Sequence, residues 1–153
     1  MPNAETLNPV LADLMAADEN TLLEQLGMRS KAVTAGVVDA MGYTATPVYE
    51  VALMGPLDDL RTLGRRLLAR WNRELYKVMC GSDKGDASDR ESLFKALGLG
   101  DVAVAAAITA VLVSSFAMAP AIATVVAALV VKRIVVPAGG EICAFWGEQL
   151  PKG

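Results

Sequence analysis

The chain predicts an all-α fold: one domain, 1–153, built as a compact bundle of about six to seven helices around a central apolar hairpin. Three observations predict it. From Val102 to Val131 thirty residues carry no charge, with Asp101 on one side and Lys132-Arg133 on the other. Pro56–Cys80 keeps its apolar residues at the 3.6-residue period of an amphipathic helix. Elsewhere, short segments open on cap or proline signals and close on glycine, the punctuation of helices. The chain divides into amphipathic helices over 1–81, a polar loop and short helix over 82–100, the hairpin over 101–136 and a tail over 137–153.

The apolar run exceeds the 18 residues that mark a transmembrane candidate. As one straight helix it would span roughly 45 Å, against about 30 Å of bilayer hydrocarbon. Pro120 removes a backbone donor and disfavours helix at Ala119. Two helices, about 102–118 and 121–135, are expected to fold back on each other as a re-entrant or buried hairpin, with a kinked single span as the alternative. Small residues four apart (Ala103/Ala107, Ala106/Ala110, Ala110/Ser114, Ala123/Ala127) suit close helix contact, in lipid or in a core. Ile108, Leu112, Phe116, Pro120, Ile122 and Leu129 are its membrane-facing or core-facing candidates. The tip, Ala117–Ala121, has no polar residue to rest in a far interface, which argues against two complete spans.

Asn8-Pro9 reads as an N-cap with Pro at the first helical position, followed by Val10, Leu11, Leu14 and Met15 at helical spacing. Asp18, Glu19 and Asn20 interrupt, Thr21–Leu26 supplies a short piece, and Gly27 ends it. Ser30 caps a helix over Lys31–Met41. Thr46-Pro47 opens a short helix over Pro47–Met54, a stretch that also suits a strand. Pro56–Cys80 begins with Asp58 and Asp59 where the helix dipole favours negative charge, and Gly81 stops it. This helix is expected to cover one side of the hairpin. Gly81–Asp89 is a polar loop, Ser88–Glu91 a capping box, Gly98–Gly100 a turn, and Asp101 the cap of the apolar helix. Pro137 with Gly139-Gly140 breaks that helix, and Glu141–Leu150 forms a last turn or two, with Ile142, Cys143, Phe145 and Trp146 docking inward or at a membrane interface.

The chain contains no histidine, which excludes Ser-His-Asp and Cys-His catalysis and His-ligated zinc. Cys80, Cys143, Asp58, Asp59 and Glu74 form no convergent catalytic set; Asp58 and Asp59 point about 100° apart on a helix. Asp83, Asp86 and Asp89 recur every third residue, not at the alternate positions of a calcium loop. No enzyme, cofactor, metal or small-molecule substrate is expected. The net charge of −3 implies no nucleic-acid partner. The N-terminus has no basic, apolar leader, so the expected location is the cytoplasm or the cytoplasmic face of a membrane. In that compartment Cys80 and Cys143 are expected as reduced, buried thiols, with a disulfide as the alternative.

Arg61, Arg65, Arg66, Arg70, Arg73 and Lys77 occupy much of the polar face of Pro56–Cys80 and are the candidates for meeting anionic lipid or an acidic partner. The expected function is a non-enzymatic helical protein that associates with or inserts into a membrane, the hairpin being stored beneath Pro56–Cys80 and released into lipid. The alternative is a soluble interaction or assembly module in which the hairpin is buried core or the seam of a homo-oligomer.

Overall fold

The computed structural model describes residues 4–34, 56–81, 84–138 and 141–150. Among these it has seven helices and no strand: α1 Ala4–Ala16, α2 Glu19–Thr34, α3 Leu57–Cys80, α4 Ala87–Leu97, α5 Asp101–Ser115, α6 Pro120–Ala138 and α7 Ile142–Gln149. The sequence expectation of an all-α bundle around the apolar hairpin holds. Every residue from Ala123 to Val131 is buried. A helix that is apolar all round needs neighbours on all sides, and α6 has them: α5, α2 and α1 along its length, α3 alongside, and α7 against its far end.

α3 does lie against the hairpin, as expected, but it is not the main cover of the second arm. Besides α5, the main covers of the second hairpin arm are α1 and α2, while α3 packs chiefly on α2 and touches α6 less extensively. Backbone contact explains the depth of the α2–α3 interface. Gly27 lies against the carbonyl of Leu60, and Gly64 against the carbonyl of Leu23; a Cβ at either site would be driven into that oxygen. The two Leu-to-Gly steps of four residues thus place one turn of each helix against the other. Gly27 does not end a helix, as its position suggested, but sits inside α2. The close approach outweighs the roughly 1 kcal/mol that an interior glycine costs relative to alanine.

Several expected caps are also displaced. Asn8 and Pro9 lie within α1, where Pro9 leaves the Glu5 carbonyl without its helical donor. Asp18 is the cap that the structure uses: the Thr21 backbone N–H donates to Asp18 Oδ1 at 2.7 Å. Ser30 is interior to α2, so no new helix starts there; the remainder of 31–41, and all of 47–54, lie outside the described residues. A 3-10 turn, Lys84–Asp86, leads directly into α4, which starts at Ala87, so Ser88 is not its cap. Asp101 is the first residue of α5, behind Gly100 at φ +105°, and makes no side-chain cap bond.

The hairpin reverses over 116–119. Ala117 takes the left-handed φ of +53°, the conformation that commonly ends a helix and usually falls to glycine. The Met118 N–H then donates to the Leu112 carbonyl at 3.0 Å. Ala119 is extended, as a residue before proline should be, and Pro120 opens α6. At the other end Pro137 does not break the helix. Val131–Val135 widens into a π turn, closed by the Val136 N–H on the Val131 carbonyl. In a regular helix the Pro137 ring would meet the Arg133 carbonyl; a wider turn relieves that collision. From this turn Lys132 Nζ donates to the carbonyls of Met15 (3.1 Å) and Ala17, placing a cation on the open C-terminal carbonyls of α1.

Replacing Gly27 or Gly64 by alanine should destabilise the fold by about 2 kcal/mol or more, because the obstructing atoms belong to backbone. Thermal melting should show a drop of at least about 5 °C for either variant. An unchanged melting temperature would mean that α2 and α3 do not cross at these glycines.

Candidate functional site

The six cations singled out on α3 separate into three groups. Arg61 is half-buried and links two helices: its Nε meets Glu24 Oε1 on α2 at 2.6 Å and its Nη1 meets Asp58 Oδ1 at 3.3 Å. Arg65 turns to the flank and lines a cavity. Arg66, Arg70, Arg73 and Lys77 are all exposed. At 100° per residue they fall within an arc of about 60°, over about 16 Å of helix. The only carboxylate paired with this stripe among the described residues is Glu74, 3.8 Å from Lys77. The Arg70 guanidinium stands 4.9 Å from the centroid of the Trp71 ring, a cation–π distance. Trp71 in turn packs edge-on against Phe116 at 5.7 Å. The basic stripe therefore connects, through one tryptophan, to the tip of the apolar hairpin.

Within the hairpin, Ile108, Leu112, Pro120 and Leu129 are buried, while Phe116 and Ile122 are half-buried. The two buried threonines bond back to their own helices, Thr109 Oγ1 to the Ala105 carbonyl at 2.8 Å and Thr124 Oγ1 to the Pro120 carbonyl at 3.1 Å, so neither leaves a polar group unmet in the core. α6, at 19 residues, is long and apolar enough to cross a membrane by length and composition. Its charge-free part ends at Val131, however, about 18 Å from its start. The charge-free part of α5 measures about 21 Å on the same rise. Both fall short of the hydrocarbon thickness of a bilayer.

Sequence reasoning missed Arg29. It is fully buried on α2 and donates from Nη1 to the Ala121 carbonyl at 2.8 Å and to Thr124 Oγ1 at 3.4 Å, and from Nε to Gln25 Oε1 at 3.2 Å. It thereby fixes the start of α6 against α2. No periodicity could reveal it, because its role depends on which helix lies opposite. Asp18 is held below the usual carboxylate range, first by the Thr21 backbone N–H, then by the Thr21 side chain, with smaller contributions from Lys132 and Arg61. A carboxyl lowered in this way stabilises the fold at neutral pH and loses that effect as pH falls through its folded value.

A cavity of about 160 Å³ opens between α3, the π turn and the end of α7, lined by Arg65, Leu68, Asn72, Arg133, Ile134 and Gln149. Asn72 is oriented by the buried Trp146, whose indole N–H donates to Asn72 Oδ1 at 2.6 Å. No cluster of three or more metal-ligating side chains occurs among the described residues. Asp89 accepts a hydrogen bond from Ser115 Oγ at 2.6 Å, which ties α4 to the end of α5; Asp83 lies outside the described residues.

The expectation of two reduced thiols is overturned. Cys80, at the end of α3, and Cys143, in α7, are joined in a disulfide with Cα atoms 5.6 Å apart. The helix packing brings them together: α7 lies on α3, with Tyr76 and Trp146 in edge contact at 5.9 Å. No family model, curated protein or solved structure matches the chain.

The disulfide closes a loop of 63 residues, and a cross-link over that length stabilises by about 4 kcal/mol in the chain-entropy description. Cys80→Ser should lower the melting temperature by about 10 °C, and reductant should do the same to the unmodified chain. Two titratable thiols in the non-reduced folded protein would contradict the bond.

Proposed function

We propose that this chain is a non-enzymatic helical protein that docks on an anionic membrane surface through Arg66, Arg70, Arg73 and Lys77. The observation that carries the reading is the succession Arg70–Trp71–Phe116: a stripe in which, among the described residues, only Lys77 has a carboxylate partner, Glu74, stands beside an aromatic pair that reaches the hairpin tip. Cations near an anionic leaflet contribute about 1 kcal/mol each, and an aromatic ring beside them suits the boundary between headgroups and hydrocarbon. The short charge-free reach of α5 and α6 supports docking from one side in preference to a complete span. The hairpin is then the apolar core that anchors the docking face, with its tip as the part nearest the lipid. The Cys80–Cys143 bond favours an oxidising compartment over the cytoplasm for this encounter.

The test is flotation of the full chain with vesicles of phosphatidylcholine alone and of phosphatidylcholine with phosphatidylserine. Binding is expected only to the anionic vesicles, with release at high salt as the charges are screened. The combined change Arg66→Gln, Arg70→Gln and Arg73→Gln should weaken the partition roughly 100-fold, from about 1 kcal/mol per cation. These side chains are exposed, so the variant should melt as the parent does. Absence of flotation, or flotation indifferent to the three substitutions, would sink the lipid reading and favour a soluble module with an acidic protein partner.

A further inference from the structure

We propose that the cavity between α3, the π turn of α6 and the end of α7 binds a small oxyanion of the phosphate class. The argument begins with its lining. Two arginines from separate helices, Arg65 and Arg133, line it together with the carboxamide residues Asn72 and Gln149 and the apolar Leu68 and Ile134, and no acidic residue lines it among the described residues. Guanidinium groups are planar forks whose donors match the oxygens of phosphate and carboxylate, and phosphate offers enough oxygens to engage both.

The donors are available. Arg65 makes no ion pair among the described residues, and Arg133 has only a 3.8 Å approach to Glu19, with both side chains about half exposed at 47% and 48%. An exposed pair at that distance contributes little and yields readily to a closer oxyanion. Asn72 is held in one orientation because its Oδ1 accepts the Trp146 indole N–H. Its Nδ2, the donor end, has no hydrogen bond among the described residues. The size is suitable: at roughly 30 Å³ per water in the liquid, about 160 Å³ accommodates one tetrahedral oxyanion with residual solvent. The cavity flanks the Arg66–Lys77 stripe without sharing a residue with it, so the inference does not rest on the docking reading.

The phosphate group could belong to a free phosphate or to a lipid headgroup, and two probes separate these. The full disulfide-bonded chain is titrated with inorganic phosphate, against chloride at matched ionic strength, by calorimetry and by thermal melting. In parallel it is floated with phosphatidic acid vesicles. Saturable binding of inorganic phosphate, weakened at least tenfold by Arg65→Gln or Arg133→Gln and unchanged by Arg73→Gln, establishes the site and a soluble source. Arg65-dependent binding to phosphatidic acid vesicles without saturation by inorganic phosphate establishes the site with a headgroup source. All three substituted residues are exposed, and unaltered melting without added anion verifies their folding. If neither probe gives binding that Arg65→Gln and Arg133→Gln weaken, the proposal is overturned.

Discussion

From Ala123 to Val131, α6 carries only hydrocarbon side chains apart from Thr124, whose hydroxyl bonds back to its own helix, and this governs where the neighbouring helices go. Burial of apolar surface is the largest favourable contribution to folding, and an amphipathic helix can cover only one side of such a rod. Five helices are recruited instead, each offering an apolar face inward, with Arg29 of α2, among the described residues, the charged side chain that is taken into the interior. The glycine crossing of α2 and α3 is a consequence. With α2 committed to the hairpin on one side, α3 can contribute to the same core only by approaching α2 until backbones touch. Gly27 and Gly64 make that distance reachable. Arg29 and Lys132 then place cations on backbone carbonyls: Arg29 on that of Ala121 in the first turn of α6, and Lys132 on those at the end of α1.

The sequence was most legible where the determinants are local. Pro56, Asp58-Asp59 and Gly81 all act within one turn of the ends of α3, and its bounds follow. The hairpin was legible because a charge-free run cannot be left on a surface, and Pro120 marks where its second arm begins. Gly27 was misread because the same residue serves as a terminator or as a contact point, and only the opposite helix decides which. The caps at Asn8, Ser30 and Ser88 failed for a related reason: a favourable cap residue is permissive, while packing sets where a helix starts. The disulfide depended on the docking of α7 against α3, which no spacing in the chain encodes.

The candidate surface shows the same division. Six cations at helical spacing looked equivalent in the sequence. In the fold, Arg61 is consumed by Glu24 and Asp58, Arg65 turns toward the cavity, and four remain as a stripe. That separation comes from the angle at which α3 lies on α2, a tertiary quantity. The pairing of Trp71 with Phe116 joins residues from distant parts of the chain and gives the stripe its relation to the hairpin tip. Neither ring, taken alone, distinguishes an interface from a core.

The bond between Cys80 and Cys143 has a topological consequence. Both arms of the hairpin, together with α4, lie on a closed covalent ring whose two ends meet at one point of the bundle. Whatever displacement the hairpin undergoes, it moves as a tethered loop with both feet pinned side by side. It therefore cannot thread a barrier in one direction and leave α3 and α7 on opposite faces. Reduction opens the ring, and only then do the two ends gain independent reach.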